Sequence, residues 1–221
     1  MASDIALHYF GGRGIGEPVR LLLTVGGIEF HDYRYTVEEF ADKSDLKEKL
    51  PFGQVPALEV DGEFLAQADS IARLAARLAG LYPSDPVDAA KSDMIVAAQA
   101  DIQSAIAKMS FDGVPGAPGT TMVPEDEKRA RVEVWFESTL PVVLQRLEKL
   151  ANDGFMVGST MSWADICVFN RLNHLQDIDA GILSDAYPKL RSVFDNVGAD
   201  PSIQAWIAAH TEDYPRYQRG D

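Results

Sequence analysis

Every strand-like segment of this chain lies before residue 80, and beyond that point only helical periodicity remains. A chain divided in this way must set a sheet-bearing unit beside an all-helical one. Ile5-Ala6-Leu7-His8-Tyr9-Phe10 is short, apolar and bounded by turn residues, so it reads as a strand. After the glycine loop, Glu17-Pro18 opens a helix: proline is tolerated in a first turn, and an acid suits the positive helix end. Val19, Leu21, Leu22 and Val25 form its apolar face, and Gly26-Gly27 ends it. Residues 31–35 read as a second strand and residues 40–49 as a polar, irregular helix. Ala57-Leu58-Glu59-Val60, the turn Asp61-Gly62 and Glu63-Phe64-Leu65 form a hairpin pattern. Residues 67–78 place Ile71, Leu74, Ala75 and Leu78 on one helical face. The order predicts a mixed sheet flanked by helices over residues 1–80.

Residues 81–86, with Pro83 and Pro86, read as a linker to a helical unit at 87–221. There the pattern predicts one long helix over 87–109 and a break at Val114-Pro115-Gly116-Ala117-Pro118-Gly119. A helix over 124–150 follows, kinked at Pro141, then helices near 162–175, 188–197 and 201–210. No repeat or low-complexity tract interrupts this order.

With 221 residues and 46 % hydrophobic content the chain can bury a real core. Its 34 acidic against 20 basic residues give a formal charge of −14, which disfavours phosphate backbones and anionic membranes as partners. A small basic pocket for an acidic ligand remains compatible with that surface. The single cysteine, Cys167, sits in apolar Ile166-Cys167-Val168-Phe169 and reads as an inert core thiol. The histidines His8, His31, His174 and His210 have no metal-ligand spacing, so no metal is expected. Met1-Ala2-Ser3-Asp4 lacks a basic start before an apolar run, and the cytosol is the expected compartment. Gly11-Gly12-Arg13-Gly14-Ile15-Gly16 looks like a nucleotide-binding turn, yet it lacks both the G-x-G-x-x-G spacing and a P-loop lysine.

Several segments, taken in order, resemble one family. Tyr9-Phe10, Arg13-Gly14 and Glu17-Pro18-Val19-Arg20-Leu21-Leu22-Leu23 resemble the opening of cytosolic glutathione transferases. Leu50-Pro51-Phe52-Gly53-Gln54-Val55-Pro56-Ala57-Leu58 resembles their loop before the third strand, and the segment from Gln67 to Arg73 the start of their third helix. Ser162-Trp163-Ala164-Asp165-Ile166, Tyr187-Pro188-Lys189-Leu190 and Ala205-Trp206-Ile207 fit the second domain. The tyrosine-type classes fit best, the sigma class most of all. The resemblance implies a thioredoxin-like N-terminal domain, with a mixed four-stranded sheet, before an all-helical C-terminal domain.

It also implies the chemistry. A free thiol has a pKa of about 8.5, so only roughly 3 % is thiolate at pH 7. Lowering that pKa by about two ionises about three-quarters of it, for roughly 2.7 kcal/mol of differential stabilisation. A hydrogen bond to the sulfur, a nearby cation and a helix dipole supply energies of that order. Tyr9, a neutral phenol at the strand end, is the implied donor, set against the plain reading of an aromatic packed on the core. Arg13 either adds positive field near the sulfur or pairs with Glu17 at the surface. Arg20 reads as structural.

The rest of the glutathione site follows from the same resemblance. Gln54, Val55 and Pro56 are implied binding residues, with a cis Val55–Pro56 bond offering main-chain groups to the cysteinyl backbone. The plainer reading is a proline that starts a strand. Gln67 and Ala68 open a helix whose N–H groups suit the γ-glutamyl carboxylate. The family usually carries Gln-Ser here, so Ala68 removes one hydroxyl donor. Asp69 and Ser70 are substitute contacts or ordinary first-turn residues. Lys43 or Lys47 grips the glycyl carboxylate or is simply solvated. Asp101 reaches the partner subunit's glutathione amino group or lies on a solvated face. The electrophile pocket is expected from Phe10, Ile15, Ile106, Met109 and Phe111, with Tyr214 and Tyr217 as further candidates. Phe52 is a candidate plug into a second subunit. Ser162 and Asp165 form a capping box with a role in folding.

The implied activity is conjugation of glutathione, as co-substrate without other cofactor, to small hydrophobic electrophiles by a homodimer. A glutathione-dependent isomerase or peroxidase on the same site, and a non-catalytic ligand-binding protein, are the alternatives.

Overall fold

The structure is a computed structural model that describes residues 4–100, 102–104 and 124–211. Asp101, Ile106, Met109, Phe111, Tyr214 and Tyr217 lie outside the described residues. The sheet part runs β1 (Ile5–Phe10), α1 (Glu17–Val25), β2 (His31–Tyr35), α2 (Val37–Ala41), α3 (Ser44–Lys49), β3 (Ala57–Val60), β4 (Glu63–Ala66) and α4 (Ala68–Leu78). The helical part runs α5 (Pro86–Ala97), α6 (Glu125–Val134), a π-helical turn (Trp135–Thr139), α7 (Leu140–Leu150), α8 (Trp163–Ile178), α9 (Pro188–Gly198) and α10 (Pro201–Ala209).

The strands lie in the order β2-β1-β3-β4. β1 pairs with β2 in parallel and with β3 antiparallel, and β3 with β4 antiparallel. This is the mixed four-stranded sheet the element order predicts. Strand alternation sends Ile5, Leu7 and Tyr9 to one face and His8 and Phe10 to the other. The first face meets the apolar side of α1, where Val19, Leu21, Leu22 and Leu23 are buried, and α4, where Ile71 and Ala75 are. Leu7, Leu22, Leu58 and Ile71 are fully buried; removing each from water is worth about 1.5–3 kcal/mol. α8 and α10 pack against α1 from the helical part.

Three elements differ from the periodicity reading. The single helix expected over 40–49 is two short ones, broken at Lys43, whose ψ of 62° leaves the helical region. The first begins earlier, at a capping box: Glu39 N–H donates to Thr36 Oγ1 at 3.1 Å and Thr36 N–H to Glu39 Oε2 at 2.8 Å. The helix expected to run from 87 leaves α-geometry after Ala97, at the turn residues 98 and 99. The kink expected at Pro141 takes the form of a widened turn, in which Leu140 N–H donates to Trp135 C=O. Proline has no N–H to continue the ordinary ladder, and the wider turn absorbs the gap.

The capping box at the head of α8 is present. Asp165 is fully buried; its Oδ2 accepts from Ser162 N–H at 2.7 Å and Ser162 Oγ–H at 2.6 Å, and its Oδ1 from Met156 N–H at 2.5 Å. No described helix is long and apolar enough to cross a membrane.

Candidate functional site at the end of the sheet

Strand register gathers the site. His8 pairs with Ala57, and Ala57 pairs with Ala66. The residues just beyond that line are Tyr9 after His8, Pro56 before Ala57, and Gln67 after Ala66. Three segments far apart in sequence therefore meet along one end of the sheet. The Val55–Pro56 bond is cis, as the resemblance implies. Pro56 is buried, Val55 half-buried and Gln54 exposed.

Tyr9 is 9 % exposed. Its hydroxyl oxygen accepts from Ile15 N–H at 3.2 Å. Burial pushes the phenol above its ordinary pKa, against the opposing pull of that N–H and of the Arg20 charge. The group therefore keeps its proton across the physiological range, and no hydrogen-bond acceptor among the described residues takes that proton. The glycine loop explains itself here. A Cβ on Gly14 would stand 2.4 Å from the Tyr9 hydroxyl, and one on Gly16 would stand 2.4 Å from Cδ1 of its ring. These glycines make room for an aromatic ring rather than a phosphate.

Arg20 is wholly buried and ties the loop down. Its Nε donates to both Asp32 oxygens at 3.1 and 3.0 Å, Nη1 to Gly12 C=O at 3.0 Å and Nη2 to Phe10 C=O at 3.0 Å. Its guanidinium carbon lies 5.6 Å from the centre of the Tyr9 ring. This is the structural role expected of Arg20, and its charge also reaches the phenol.

Arg13 is 4 % exposed, not at the surface, and its guanidinium pairs with Asp177 of α8. Glu17, the surface partner considered for it, is buried and engaged by Arg20 and by the Trp206 indole instead. One helical turn before Asp177, His174 is held down to a pKa of about 4 by burial and by the charges of Arg13 and Arg171. Arg171 bonds to Gln103 and feels Asp69 at the head of α4. Asp177, His174 and Arg171 thus form a polar seam between the two parts. Their spacing of three residues along one helix was the available signal, masked by the apolar residues among them.

Gln67 caps α4 at φ +73°, a left-handed conformation that a non-glycine side chain rarely adopts. No side chain caps this helix; Ser70 N–H and Ile71 N–H donate back to Gln67 C=O at 2.9 and 3.0 Å, which leaves the N–H groups of Ala68 and Asp69 without an intrahelical acceptor, the arrangement that suits an anion. Ala68 is half-buried, and Asp69 and Ser70 are exposed beside it. Lys43 and Lys47 stand over aromatic rings of β2 and α2: Lys43 Nζ is 5.5 Å from the Tyr35 ring, and Lys47 Nζ is 5.0 Å from that of Phe40. Lys47 also donates to Ala41 C=O at 2.8 Å. Phe10 packs between the Tyr9 ring at 5.5 Å and the Phe40 ring at 5.7 Å, and Ile15 is partly buried against the core. Cys167 is buried, its thiol pushed up to about 12 by burial, which leaves it protonated.

Two family models match this chain: glutathione S-transferase, N-terminal domain, over residues 5–77, and glutathione S-transferase, C-terminal domain, over residues 118–210. Glutathione S-transferase S1 of Drosophila melanogaster is 32 % identical over 91 % of this chain and 76 % of its own. Hematopoietic prostaglandin D synthase of Gallus gallus is 35 % identical over 91 % of this chain and 94 % of its own. Among solved structures, prostaglandin synthase D of Nilaparvata lugens superposes with a TM-score of 0.79 at 29 % identity, covering 93 % of this chain and 97 % of that one. The Pi-class glutathione S-transferase of Onchocerca volvulus has a TM-score of 0.79 at 25 % identity, covering 96 % and 95 %.

Proposed function

Because this chain belongs to the glutathione S-transferase family, we propose that it conjugates glutathione to small hydrophobic electrophiles through a thiolate held by Tyr9. The observation that carries the reading is the Tyr9 phenol: buried, protonated, oriented by Ile15 N–H, and set at the sheet end beside Val55–Pro56 and the open head of α4. The thiol proton leaves to solvent. The phenol O–H then donates to the sulfur anion, and the sulfur forms a bond to the electrophilic carbon while the leaving group departs with its electron pair. Arg20 adds positive field from beneath the ring, and Arg13 adds it from the α8 side.

The γ-glutamyl carboxylate sits on the N–H groups at the head of α4, with Gln67 and Ala68 against it. Gln54 and the main chain at Val55 and Pro56 hold the cysteinyl part, and Lys43 or Lys47 the glycyl carboxylate. The family resemblance assigns Asp101 to the glutathione of a second subunit. Phe10 and Ile15 belong to the electrophile pocket, to which the family resemblance also assigns Ile106, Met109 and Phe111. A homodimer is supported by large apolar side chains left in solvent, Phe52 at 63 % exposure and Val87 at 62 % among them. The sheet domain is residues 1–80, joined by 81–86 to the helical domain at 87–221. A sigma-class placement draws support from the S1 and prostaglandin D synthase relatives, and a cytosolic site of action goes with it.

The deciding experiment is retention on immobilised glutathione, followed by the ultraviolet thiolate band of the bound complex and a chlorodinitrobenzene conjugation assay. Retention, band and turnover are expected together. Retention without a thiolate band or turnover would sink the conjugating role and leave a binding protein. Turnover of a prostaglandin endoperoxide alone would move the assignment to isomerisation on the same site.

A further inference from the structure

The loop that wraps Tyr9 is fastened from the other end of the chain. Trp206, on α10, donates its indole N–H to Glu17 Oε1 at 2.9 Å. Glu17 is 2 % exposed, and its Oε2 accepts from Arg20 Nη1 at 3.2 Å. The same Nη1 donates to Gly12 C=O, and the neighbouring Nη2 to Phe10 C=O, each at 3.0 Å. One continuous path therefore runs from α10 through Glu17 and Arg20 to the main chain on either side of Gly11. Ile15, whose N–H orients the Tyr9 hydroxyl, lies in the same short loop.

Trp206 is itself firmly seated. His210 stacks on it with ring centres 4.0 Å apart, Phe30 lies 6.0 Å away, and the Arg34 guanidinium stands 5.8 Å over the indole. Such a ring does not need its N–H bond to stay packed. The bond instead decides where the Glu17 carboxylate points. A buried carboxylate stripped of one donor turns to recover hydrogen bonds, and Arg20 already donates to its other oxygen. An Arg20 drawn toward Glu17 slackens its hold on Gly12 and Phe10.

We propose that Trp206 is a positioning residue for Tyr9, acting through Glu17 and Arg20 to hold the loop that aims the phenol. The inference rests on the thiolate reading above and adds a residue from the C-terminal helix to it. A shift of about 1 Å in a group that must meet a reacting atom can cost a factor near 10². Partial slackening of one loop is expected to cost about tenfold in kcat.

The test compares Trp206→Phe, which keeps an aromatic ring and removes the N–H, with Glu17→Asp, which keeps the charge and withdraws it from the indole. Both are measured against wild type for kcat, KM for glutathione, and the pH dependence of the bound thiolate band. The expected result in each is kcat down about tenfold, KM for glutathione within about twofold, and a thiolate band that appears only at higher pH. If Trp206→Phe does not fold, Glu17→Asp alone carries the test. Wild-type kcat and an unmoved thiolate titration in the folded variants overturn the proposal, whatever happens to the melting temperature. A wild type that binds glutathione without any thiolate band defeats the underlying reading instead, so the two failures are told apart.

Discussion

Gly16 lies so close to Tyr9 that a β-carbon on it would stand 2.4 Å from Cδ1 and 2.7 Å from Cγ of the ring. The contact is with the root of the ring, which has no freedom to swing aside. Gly16→Ala is therefore expected to displace the ring or its loop. The expected cost is about 1–3 kcal/mol of stability, with a fall in kcat larger than that loss of folded protein explains. Activity per folded molecule, measured beside a denaturation curve, checks it. An alanine variant with wild-type turnover would show that the ring's position is not critical.

Tyr9→Phe removes only the hydroxyl from a ring that packs in the core. Glutathione affinity is expected to hold within a few-fold while turnover falls by about one to three orders of magnitude, a span that includes the roughly 10²–10³ for losing a donor aimed at developing charge. Titration of the thiolate band in the variant should show a higher thiol pKa. Unchanged turnover would take Tyr9 out of the mechanism.

Ala68 stands at the first position of α4, where the head of the helix has no side-chain cap. Ala68→Ser restores a hydroxyl beside the open N–H groups. A hydrogen bond to a charged group is worth about 1.5–3 kcal/mol, so the Kd for glutathione should tighten at least about tenfold. Calorimetric titration reads this directly, and an unchanged Kd would mean that the carboxylate is held elsewhere.

His174 gives the fold a pH dependence. Its pKa is about 4 in the folded chain, against 6.5 for the ordinary side chain, through burial first and then the Arg13 and Arg171 charges. Between those values the unfolded chain binds more protons than the folded one. Stability is therefore complete above pH 6.5 and declines as pH falls toward 4, by up to about 3 kcal/mol. His174→Gln should flatten this limb. Denaturant midpoints at pH 7 and pH 5 for both proteins test the sign, and parallel slopes would refute the assignment.

Asp165 accepts from Met156 N–H, Ser162 N–H and Ser162 Oγ–H while fully buried. Asp165→Ala leaves those donors stranded and removes a cap. The expected loss is about 2–5 kcal/mol. For a chain of this size the melting temperature should fall by roughly 5–15 °C. Turnover per folded molecule should be unchanged, because Asp165 lies outside the site.

Much of this architecture is local and so was open to the sequence. The short apolar run at 5–10, the Asp61-Gly62 turn and the apolar face of α1 act over a few residues, and the mixed sheet follows from their order; on α4 the buried side is Ile71, Ala72, Ala75 and Ala76, while Leu78, which periodicity placed with Ile71, is 45 % exposed. The Ser162–Asp165 box spans a single helical turn. Local rules failed where two local preferences compete. The stretch from Val37 to Lys49 reads as one polar run, yet the Thr36 cap and the break at Lys43 divide it. Near Pro141 the ladder had several ways to absorb a missing N–H, and the widened turn at Trp135–Thr139 is the one taken.

The order of residues alone determined that a tyrosine ends the first strand, that a glycine-rich loop follows it, and that a helix opens at Ala68. It also placed an alanine where a serine would add a donor. Tertiary structure alone decided that the glycines serve the Tyr9 ring, that Arg13 turns toward Asp177, and that Trp206 fastens the loop through Glu17. The physical reason is range. Backbone preference and helical caps are settled within a turn or two of chain, whereas these contacts join residues as far as 189 positions apart. Only packing of the whole chain brings such groups within hydrogen-bond distance.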